Sequence, residues 1–240
     1  MKGFDSKFKN FPDYIIGITK EIWEDRSIAS LYDYYDKDIV VRSPSSIVVG
    51  NKKVIDATMA TLAEFPERTL YGEDVIWSGS PNLGMLSSHR IQSTASHITP
   101  GIYGNPSGKK LNYRIIADCH AKNNKIDDEW LIRDQGAIVK QLDWDPKDFA
   151  RDLISREGGP EKCVKPYSYD NDIKGPYKGK GNDNEWGELF SDILNRIMSA
   201  DFSVISKEYD RAVNLEYAGG ITDVSHSGVD NFWMGLRSSF

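Results

Sequence analysis

The chain has 240 residues, of which 39% are hydrophobic and 28% are charged, and its formal net charge is -6 at pH 7. This length can hold one sizeable core, or one domain and part of another. The acidic balance, with a sequence pI of about 5.3, argues against nucleic acid or an anionic membrane as the partner and favours a small ligand.

Cysteine usage and the N-terminus indicate the cellular compartment. Cys119 and Cys163 lie far apart in sequence and fit neither a disulfide framework nor a zinc-ligand spacing. The N-terminal segment lacks the apolar run of a signal peptide, and no stretch is long enough to span a bilayer. We therefore expect a cytoplasmic protein without a membrane partner.

The first third of the chain has helical periodicity. Apolar residues recur at helical spacing over Asp13–Tyr35, which predicts one or two amphipathic helices. A β-branched strand, Asp38–Arg42, follows and leads into turn residues at Ser43–Ser46. Helical spacing returns over Asn51–Phe65 and is ended by Pro66.

Beyond Pro66 the sequence pattern becomes that of strands. Four strands are predicted, over Thr69–Ser78, Met85–Ile98, Leu111–Lys122 and Lys125–Asp134. The segments between them are a hairpin loop at Ser80–Gly84, a Gly/Pro-rich loop at Thr99–Lys110 and a tight turn at Asn123–Asn124. Helices followed by an antiparallel meander predict an α+β domain rather than a parallel α/β sheet.

The sequence pattern changes twice after the last predicted strand. Residues from Ser155 to Asp183 are rich in glycine, proline and lysine and have little apolar periodicity, so we expect no long helix or strand within them. The range 146–183 is interpreted as a linker or surface arm. An amphipathic pattern returns at Glu185. We assign 11–145 to a first domain and 184–240 to a second segment.

This second segment repeats the opening of the first domain. In the alignment Tyr35-Asp36-Lys37 matches Tyr209-Asp210-Arg211, Ile39–Val41 matches Val213–Leu215, Pro44–Ser46 falls on Ala218–Gly220, and Val54–Phe65 matches Val229–Phe240. Order and spacing are kept, which predicts a duplication rather than a chance similarity. The second copy is expected to be incomplete, with helices and a first strand but without the four long strands.

An incomplete second copy has a consequence for association. Its helices carry large apolar residues such as Trp186, Phe190 and Trp233 but have no sheet of their own to cover them. Burying one such side chain is worth about 1.5 to 3 kcal/mol, so leaving the set exposed would exceed the roughly 5 to 15 kcal/mol stability of a domain. We therefore expect these helices to pack on the first domain or on another copy, and the chain to be a homo-oligomer.

The end of the first domain carries a family resemblance. The strand Asn124–Trp130, followed by Ala137–Leu142, resembles the "gly-lys-ile, acid, aromatic" strand and "leu-arg-gln-leu" helix of SnoaL-like domains. Over Phe11–Asp145 the chain resembles the SnoaL-like polyketide cyclase branch of the nuclear transport factor two superfamily. The resemblance implies a cone-shaped, curved antiparallel sheet packed on N-terminal helices, with a pocket for a small hydrophobic or polyketide-like molecule.

The resemblance also implies a chemistry. The cyclases close a polyketide ester by an intramolecular aldol reaction without a cofactor, using an aspartate ten or eleven residues before the terminal "gln-leu" and a histidine two positions earlier. Counting back from Gln141-Leu142 puts Leu131 at the aspartate position and Glu129 at the histidine position. Because leucine cannot transfer protons, the family mechanism would need a different base here.

Strand alternation suggests which residues replace it. Glu129, Leu131 and Arg133 share one face of their strand. If that face lines the pocket, Glu129 has a raised pKa and serves as a general base, with Arg133 as its partner or as an oxyanion stabiliser. The alternative is a solvated cross-strand ion pair.

Other polar residues on neighbouring strands are weaker candidates. Asp118 and His120 share a face and are interpreted either as an acid/base dyad or as the half-exposed side of the sheet. His89 and His97 share a face of the strand before, but their separation of about 26 Å, at about 3.3 Å per residue, excludes one shared metal ion. We expect Glu129 to point into a cavity near Arg133 and at least one of His89, Asp118 or His120, and predict no metal site.

Aromatic residues complete the candidate pocket. Trp23, Tyr35 and Trp77 are assigned as ligand-binding residues together with Leu131 and Arg133, although helical spacing also suits a role in the core. The sequence thus predicts a cofactor-independent isomerase, cyclase, lyase or hydrolase acting on a small molecule. The alternative is a non-catalytic ligand-binding or dimerisation module.

Overall fold

The structure, a computed structural model, describes residues 1–176 and 184–239. It consists of two compact units, Met1–Pro176 and Tyr177–Phe240. Residues 177–183 of the predicted linker, and Phe240 at the end of the predicted repeat, lie outside the described residues.

The first unit begins with helices and ends with two more. Its α-helices are α1 (Phe11–Thr19), α2 (Leu31–Tyr34), α3 (Asn51–Glu64), α4 (Gln135–Gln141) and α5 (Pro146–Arg156). The Asn10 side chain caps α1 by accepting a hydrogen bond from the Asp13 backbone N–H, and Pro12 lies in the first turn, where it is well tolerated. The segment Asp13–Tyr35, predicted to form one or two amphipathic helices, contains α1 and α2 with a π-helical turn at Lys20–Glu24 and a 3-10 turn at Ile28–Ser30 between them.

Six strands form one sheet on which these helices pack. They are β1 (Tyr35–Ser43), β2 (Ser46–Val49), β3 (Thr69–Ser80), β4 (Gly84–Ser96), β5 (Lys110–Lys122) and β6 (Lys125–Arg133), in the spatial order β2-β1-β6-β5-β4-β3. The four predicted long strands and the α+β class are confirmed. Two features differ from the prediction: β2 forms where only a loop was expected, and β1 pairs with β6 in parallel.

A bulge between β5 and β6 determines which side chains of β6 face inward. His120 pairs with Asp128 and Ala121 pairs with Ile126, which leaves Asp127 as the extra residue. Strict alternation is therefore broken before Asp128, and both Ile126 and Glu129 face the inside of the sheet although they are three residues apart.

The opposite face of β1 and β6 is covered by residues after α5. Arg42 is 1% exposed at its side chain and donates hydrogen bonds to Asp128 and Asp172, each at 2.6 Å, and to the Ile173 carbonyl. Its guanidinium also lies 5.1 Å from the centre of the Trp130 ring. All of these partners lie on the outer face.

The predicted linker accordingly begins with ordered structure. Helix α5 contributes Phe149, whose ring stacks on Tyr103 with centroids 5.6 Å apart. We call residues 157–176 the arm; its one regular element is a 3-10 turn at Tyr169–Asn171. The Tyr167 N–H donates to the Pro44 carbonyl at 2.9 Å, so the arm is bonded to the β1–β2 turn.

The second unit has its own small core. It contains α6 (Glu185–Met198), α7 (Ile205–Glu208), β7 (Asn214–Tyr217), β8 (Ile221–Val224) and α8 (Ser225–Arg237). Its buried apolar side chains are Ile193, Ile197, Val204, Ile205 and Val229. Trp186 and Phe190 are exposed, by 73% and 58%. No helix in the described part of either unit is long and apolar enough to cross a bilayer.

The order of elements in the second unit matches the opening of the first. A 3-10 turn precedes a four-residue helix in both, at Ile28–Ser30 and Phe202–Val204, and the residue that follows the helix is Tyr35 in one case and Tyr209 in the other. A β-hairpin and a long helix follow in each unit. These similarities support the predicted duplication, which stays a prediction.

Candidate active site

The first unit encloses a cavity of about 290 Å³ between its helices and the inner face of the sheet. Most of its lining is apolar, as expected for a small-molecule site. The charged or titratable side chains at its wall are those of Tyr35, Arg68, His89, Cys119, Glu129 and Arg133. Exposed lining residues Pro44, Ser45 and Ala57 mark the opening to solvent, between the β1–β2 turn and α3.

Glu129 is the acidic side chain of the cavity wall. It is 5% exposed and accepts a hydrogen bond from the Tyr35 hydroxyl at 2.9 Å. Burial raises the pKa of Glu129 to about 7; the Tyr35 hydrogen bond opposes this shift, and the nearby charge of Asp128 adds to it. A carboxyl group with this pKa exchanges a proton readily near neutral pH.

Tyr35 and Trp23 support this carboxyl group from the side of the helices. Tyr35 opens β1, and burial together with the charge of Glu129 raises its pKa well above the ordinary value. It therefore stays a neutral donor. The Trp23 ring packs edge-on against the Tyr35 ring, with centroids 6.3 Å apart, and also lines the cavity. Both aromatic residues lie where the sequence placed them.

His89 lines the cavity from β4. Gly72 on the neighbouring strand leaves space for its ring, since a Cβ there would come within 2.9 Å of the His89 Nε2. Burial lowers the pKa of His89 to about 4, so the imidazole is neutral at pH 7. Its Nε2 makes no hydrogen bond within the described residues.

Leu131 and Arg133 lie further along β6 on the same inner face. Register pairs Glu129 with Cys119, Leu131 with Ala117, and Arg133 with Ile115. The position that resembles the cyclase aspartate therefore does face the cavity and carries leucine. Four residues separate Glu129 from Arg133, about 13 Å at about 3.3 Å per residue.

Arg68 is a cavity residue that the sequence analysis did not identify. It is 4% exposed and precedes β3. Its main-chain carbonyl accepts a hydrogen bond from Arg26 at 2.8 Å. Strand alternation could have predicted the inward position of Arg68, because Arg68 lies two residues before Leu70, which is buried, and both side chains then share one face.

Asp118 and His120 do not reach the cavity. Their strand turns Tyr113, Ile115, Ala117 and Cys119 inward, so Asp118 is exposed on the outer face. His120 is buried beside Gly84 and pairs through Nδ1 with Asp127 at 2.5 Å. The suggested Asp118–His120 dyad is thus replaced by a His120–Asp127 contact at the bulge.

Trp77 also lies away from the cavity. It is 49% exposed near the far end of β3 and packs edge-on against Phe11 of α1, with centroids 6.2 Å apart. Its assignment as a pocket residue does not agree with this position. Within residues 1–176 and 184–239, no three His, Cys, Asp or Glu side chains converge as metal ligands would.

Comparison with known proteins identifies the family. No curated protein matches the sequence. Among solved structures, the chain resembles IdmH of Streptomyces antibioticus, a candidate polyketide cyclase (18% identity, TM-score 0.48, covering 55% of this chain and 96% of that one). It also resembles a candidate SnoaL-like polyketide cyclase of Jannaschia sp. CCS1 (14% identity, TM-score 0.49, covering 56% and 92%). The sequence profile described as SnoaL-like polyketide cyclase matches residues 14–142, more than half of the chain. The chain therefore belongs to the SnoaL-like polyketide cyclase family.

Proposed function

We propose that the first unit is a cofactor-independent enzyme that moves a proton on a small, largely apolar carbonyl compound, with Glu129 as the general base. The observation that carries this proposal is the Glu129 carboxyl group, which is buried in an apolar cavity with a pKa raised to about 7. A base matched to neutral pH is efficient because a useful fraction is ionised while it still binds a proton well.

The proposed step is proton abstraction next to a ligand carbonyl. The Glu129 carboxylate takes a proton from the carbon beside the carbonyl, and the electron pair of the broken C–H bond moves into an enolate. The protonated Glu129 then returns the proton to carbon or oxygen. If the enolate carbon attacks a second carbonyl of the same molecule, the product is a ring, and if it is reprotonated at another carbon, the product is an isomer.

Two neighbours of the cavity suit this step. The Tyr35 hydroxyl, 2.9 Å from Glu129, orients the carboxylate and stabilises its charged form. His89, neutral at pH 7, presents an imidazole at the cavity wall without a hydrogen-bond partner for Nε2 among the described residues. The N–H group of a neutral imidazole can donate a hydrogen bond to an enolate oxygen and so stabilise its negative charge.

The second candidate function is non-catalytic ligand binding. It is favoured by Leu131, which occupies the position that resembles the proton-transferring aspartate of the cyclases. If Glu129 owes its burial to a structural role with Tyr35, the cavity would hold a ligand without changing it.

Solvent hydrogen exchange separates the two functions. The protein is incubated in D2O with enolisable aryl β-keto esters, and proton NMR follows deuterium uptake at the carbon between the carbonyls. General-base catalysis is typically worth about 100-fold to 10,000-fold. We expect catalysed exchange whose rate rises with pH through about 7, and its loss by about 100-fold or more in Glu129→Gln.

The matched control is Asp118→Asn, which removes an exposed carboxylate from the outer face of the neighbouring strand. It should leave exchange unchanged. Test compounds that bind to wild type and Glu129→Gln alike, with no exchange above buffer in either, would support the binding module and reject the enzyme.

We also propose that 184–240 is a partial second copy of the domain that includes 11–145. The supporting observation is the common element order, in which the 3-10 turns start at residues 28 and 202 and the following helices at 31 and 205, a constant difference of 174. Exposed Trp186 and Phe190 suit the predicted homo-oligomer. Sedimentation equilibrium of the wild type and Trp186→Ser would test that association.

A further inference from the structure

The cavity contains two guanidinium groups without a carboxylate partner among the described residues. Arg68 and Arg133 both line it. Within residues 1–176 and 184–239, neither forms an ion pair with an aspartate or glutamate, and the buried Nε of each lacks a hydrogen-bond partner. Buried charged groups are normally paired, because an unpaired one loses its hydration without compensation.

The two charges are close enough to affect each other. Burial and, to a smaller extent, the charge of Arg133 lower the pKa of Arg68 to about 10, while Tyr113 acts in the opposite direction. The fold therefore keeps two like charges together in an apolar enclosure. Such an arrangement costs stability unless an anion binds between them.

The remaining lining determines what kind of anion fits. Between this arginine pair and Glu129 the wall is apolar, with Ile115, Ala117 and Leu131 in paired register. Glu129, when ionised, offsets one of the two positive charges, and His89 is neutral at pH 7. The net charge of the wall is then +1, which one carboxylate balances, whereas a phosphate dianion would exceed it.

We propose that Arg68 and Arg133 form an anion-binding subsite for the carboxylate of an otherwise apolar ligand, which it holds with its reacting end toward Glu129. This rests on the proposed function only in requiring that the cavity binds a small molecule. Guanidinium groups suit this task because their planar donors match the two oxygens of a carboxylate. The substrate class is then an apolar keto acid.

The experiment compares isosteric pairs of ligands that differ in charge alone. Wild-type protein is titrated with 2-naphthoate and with 4-phenylbutyrate, each beside its neutral primary amide, by ligand-observed NMR or calorimetry. Charge-assisted hydrogen bonds should make each acid bind at least about tenfold more tightly than its amide. Arg133→Gln and Arg68→Gln should each reduce this preference about tenfold.

Two controls show whether the preference comes from the subsite. Arg114→Gln removes a positive charge from the outer face of β5, where Arg114 pairs with Glu73, and should keep the full preference. Glu129→Gln removes the negative charge of the wall and should tighten binding of the acids relative to the amides. Should Arg68→Gln not fold, Arg133→Gln alone decides, because Arg133 is only half-buried.

Apparent melting temperatures distinguish a ligand subsite from a structural role. A subsite predicts that Arg133→Gln melts at or above the wild-type temperature while losing the acid preference, because an unpaired charge has been removed. Amides that bind as tightly as the acids, or a preference unchanged in both variants, would overturn the subsite and leave the proposed function standing. Failure of acids and amides alike would count against both proposals.

Discussion

Asp128 and Glu129 are neighbours on β6, yet their carboxyl groups lie on opposite faces of the sheet in contrasting environments. Asp128 is 2% exposed at its side chain and bonded to Arg42 at 2.6 Å. Glu129 is 5% exposed as a residue, and its hydrogen-bond partner among the described residues is the neutral Tyr35. The arginines follow the same division, because Arg42 is paired with two carboxylates, whereas Arg68 and Arg133 have none in the described chain.

This difference shows how to separate structural from functional buried charges. On the outer face the buried charges of Arg42 and Asp128 are partners supplied by the fold, so removing one leaves the other uncompensated. On the inner face the described charges lack such partners. Removing one of them should therefore raise the free energy of unfolding and reduce catalysis or ligand binding. Substitutions on the two faces should therefore have opposite effects on stability.

The largest expected effect is on the paired face. Asp128→Asn leaves the Arg42 guanidinium buried with one of its two carboxylates, and breaking a buried ion pair typically costs about 3 to 5 kcal/mol. Urea unfolding at pH 7 should show a loss in this range. Asp118→Asn on the exposed outer face is the control, and we expect it to stay within about 0.5 kcal/mol of wild type. A loss below about 1 kcal/mol for Asp128→Asn would contradict the pairing argument.

The opposite sign is expected for Glu129. Its folded pKa, about 7, lies above the ordinary value of 4.5, so its favourable contribution is complete below pH 4.5 and is lost as pH rises through 7. Glu129→Gln stays neutral and avoids this loss. Its stability relative to wild type should therefore increase by up to about 3 kcal/mol between pH 4 and pH 8. Equal differences at the two pH values would show that the carboxyl group is not held in its neutral form.

His89 should produce a smaller change in the acid range. Its folded pKa, about 4, lies below the ordinary value of 6.5, so the stability it contributes is present above pH 6.5 and is lost as pH falls toward 4. Between pH 7 and pH 5 wild type should lose about 2 kcal/mol more than His89→Gln. Paired unfolding curves at both pH values measure this, and parallel losses would mean that the imidazole is hydrated in the folded protein.

The smallest change is expected at the second partner of Arg42. The Asp172 side chain is 27% exposed, and Arg42 keeps Asp128 when Asp172 is replaced. Asp172→Asn should therefore lower stability much less than Asp128→Asn. It should instead loosen the arm, so that trypsin cleaves faster at Lys162 and Lys174 while the core remains protected. Unchanged cleavage would show that the hydrogen bonds of the Tyr167 N–H and the Ile173 carbonyl hold the arm without the Asp172 carboxylate.

Sequence reasoning located one side of the cavity well. Alternation around Leu131 correctly placed Glu129 and Arg133 on one inward face. Of the three residues expected as alternatives near Glu129, His89 lines the cavity, whereas Asp118 and His120 do not. These positions depend on a local period of two, which sequence shows directly. Helix–strand order and the terminal strand–helix pattern were likewise enough for the fold class and the family.

The remaining features depend on contacts that are distant in sequence. Arg68 and Arg133 line the same cavity although β5 and β4 lie between β6 and β3 in the sheet, and no local pattern links the two residues. The inward position of Ile126 depends on a bulge whose extra residue, Asp127, is selected by pairing with β5. The outer partners of Arg42 lie 86 and 130 residues away. The sequence therefore predicted which face of a single strand a side chain occupies better than it predicted contacts between residues of different strands.

The parallel pairing of β1 with β6 has a consequence for how the first unit is assembled during synthesis. Tyr35 pairs with Ile126, so closing the sheet joins segments about ninety residues apart, and such closures are slow because chain entropy is lost before the contacts form. In the nascent chain, β1 has β2 on one edge and an open edge on the other until β6 has left the ribosome. During that interval the open strand edge is the segment most exposed to mispairing with another chain. Translation pauses while β6 is still inside the ribosome should thus increase aggregation, while pauses after β6 has emerged should not.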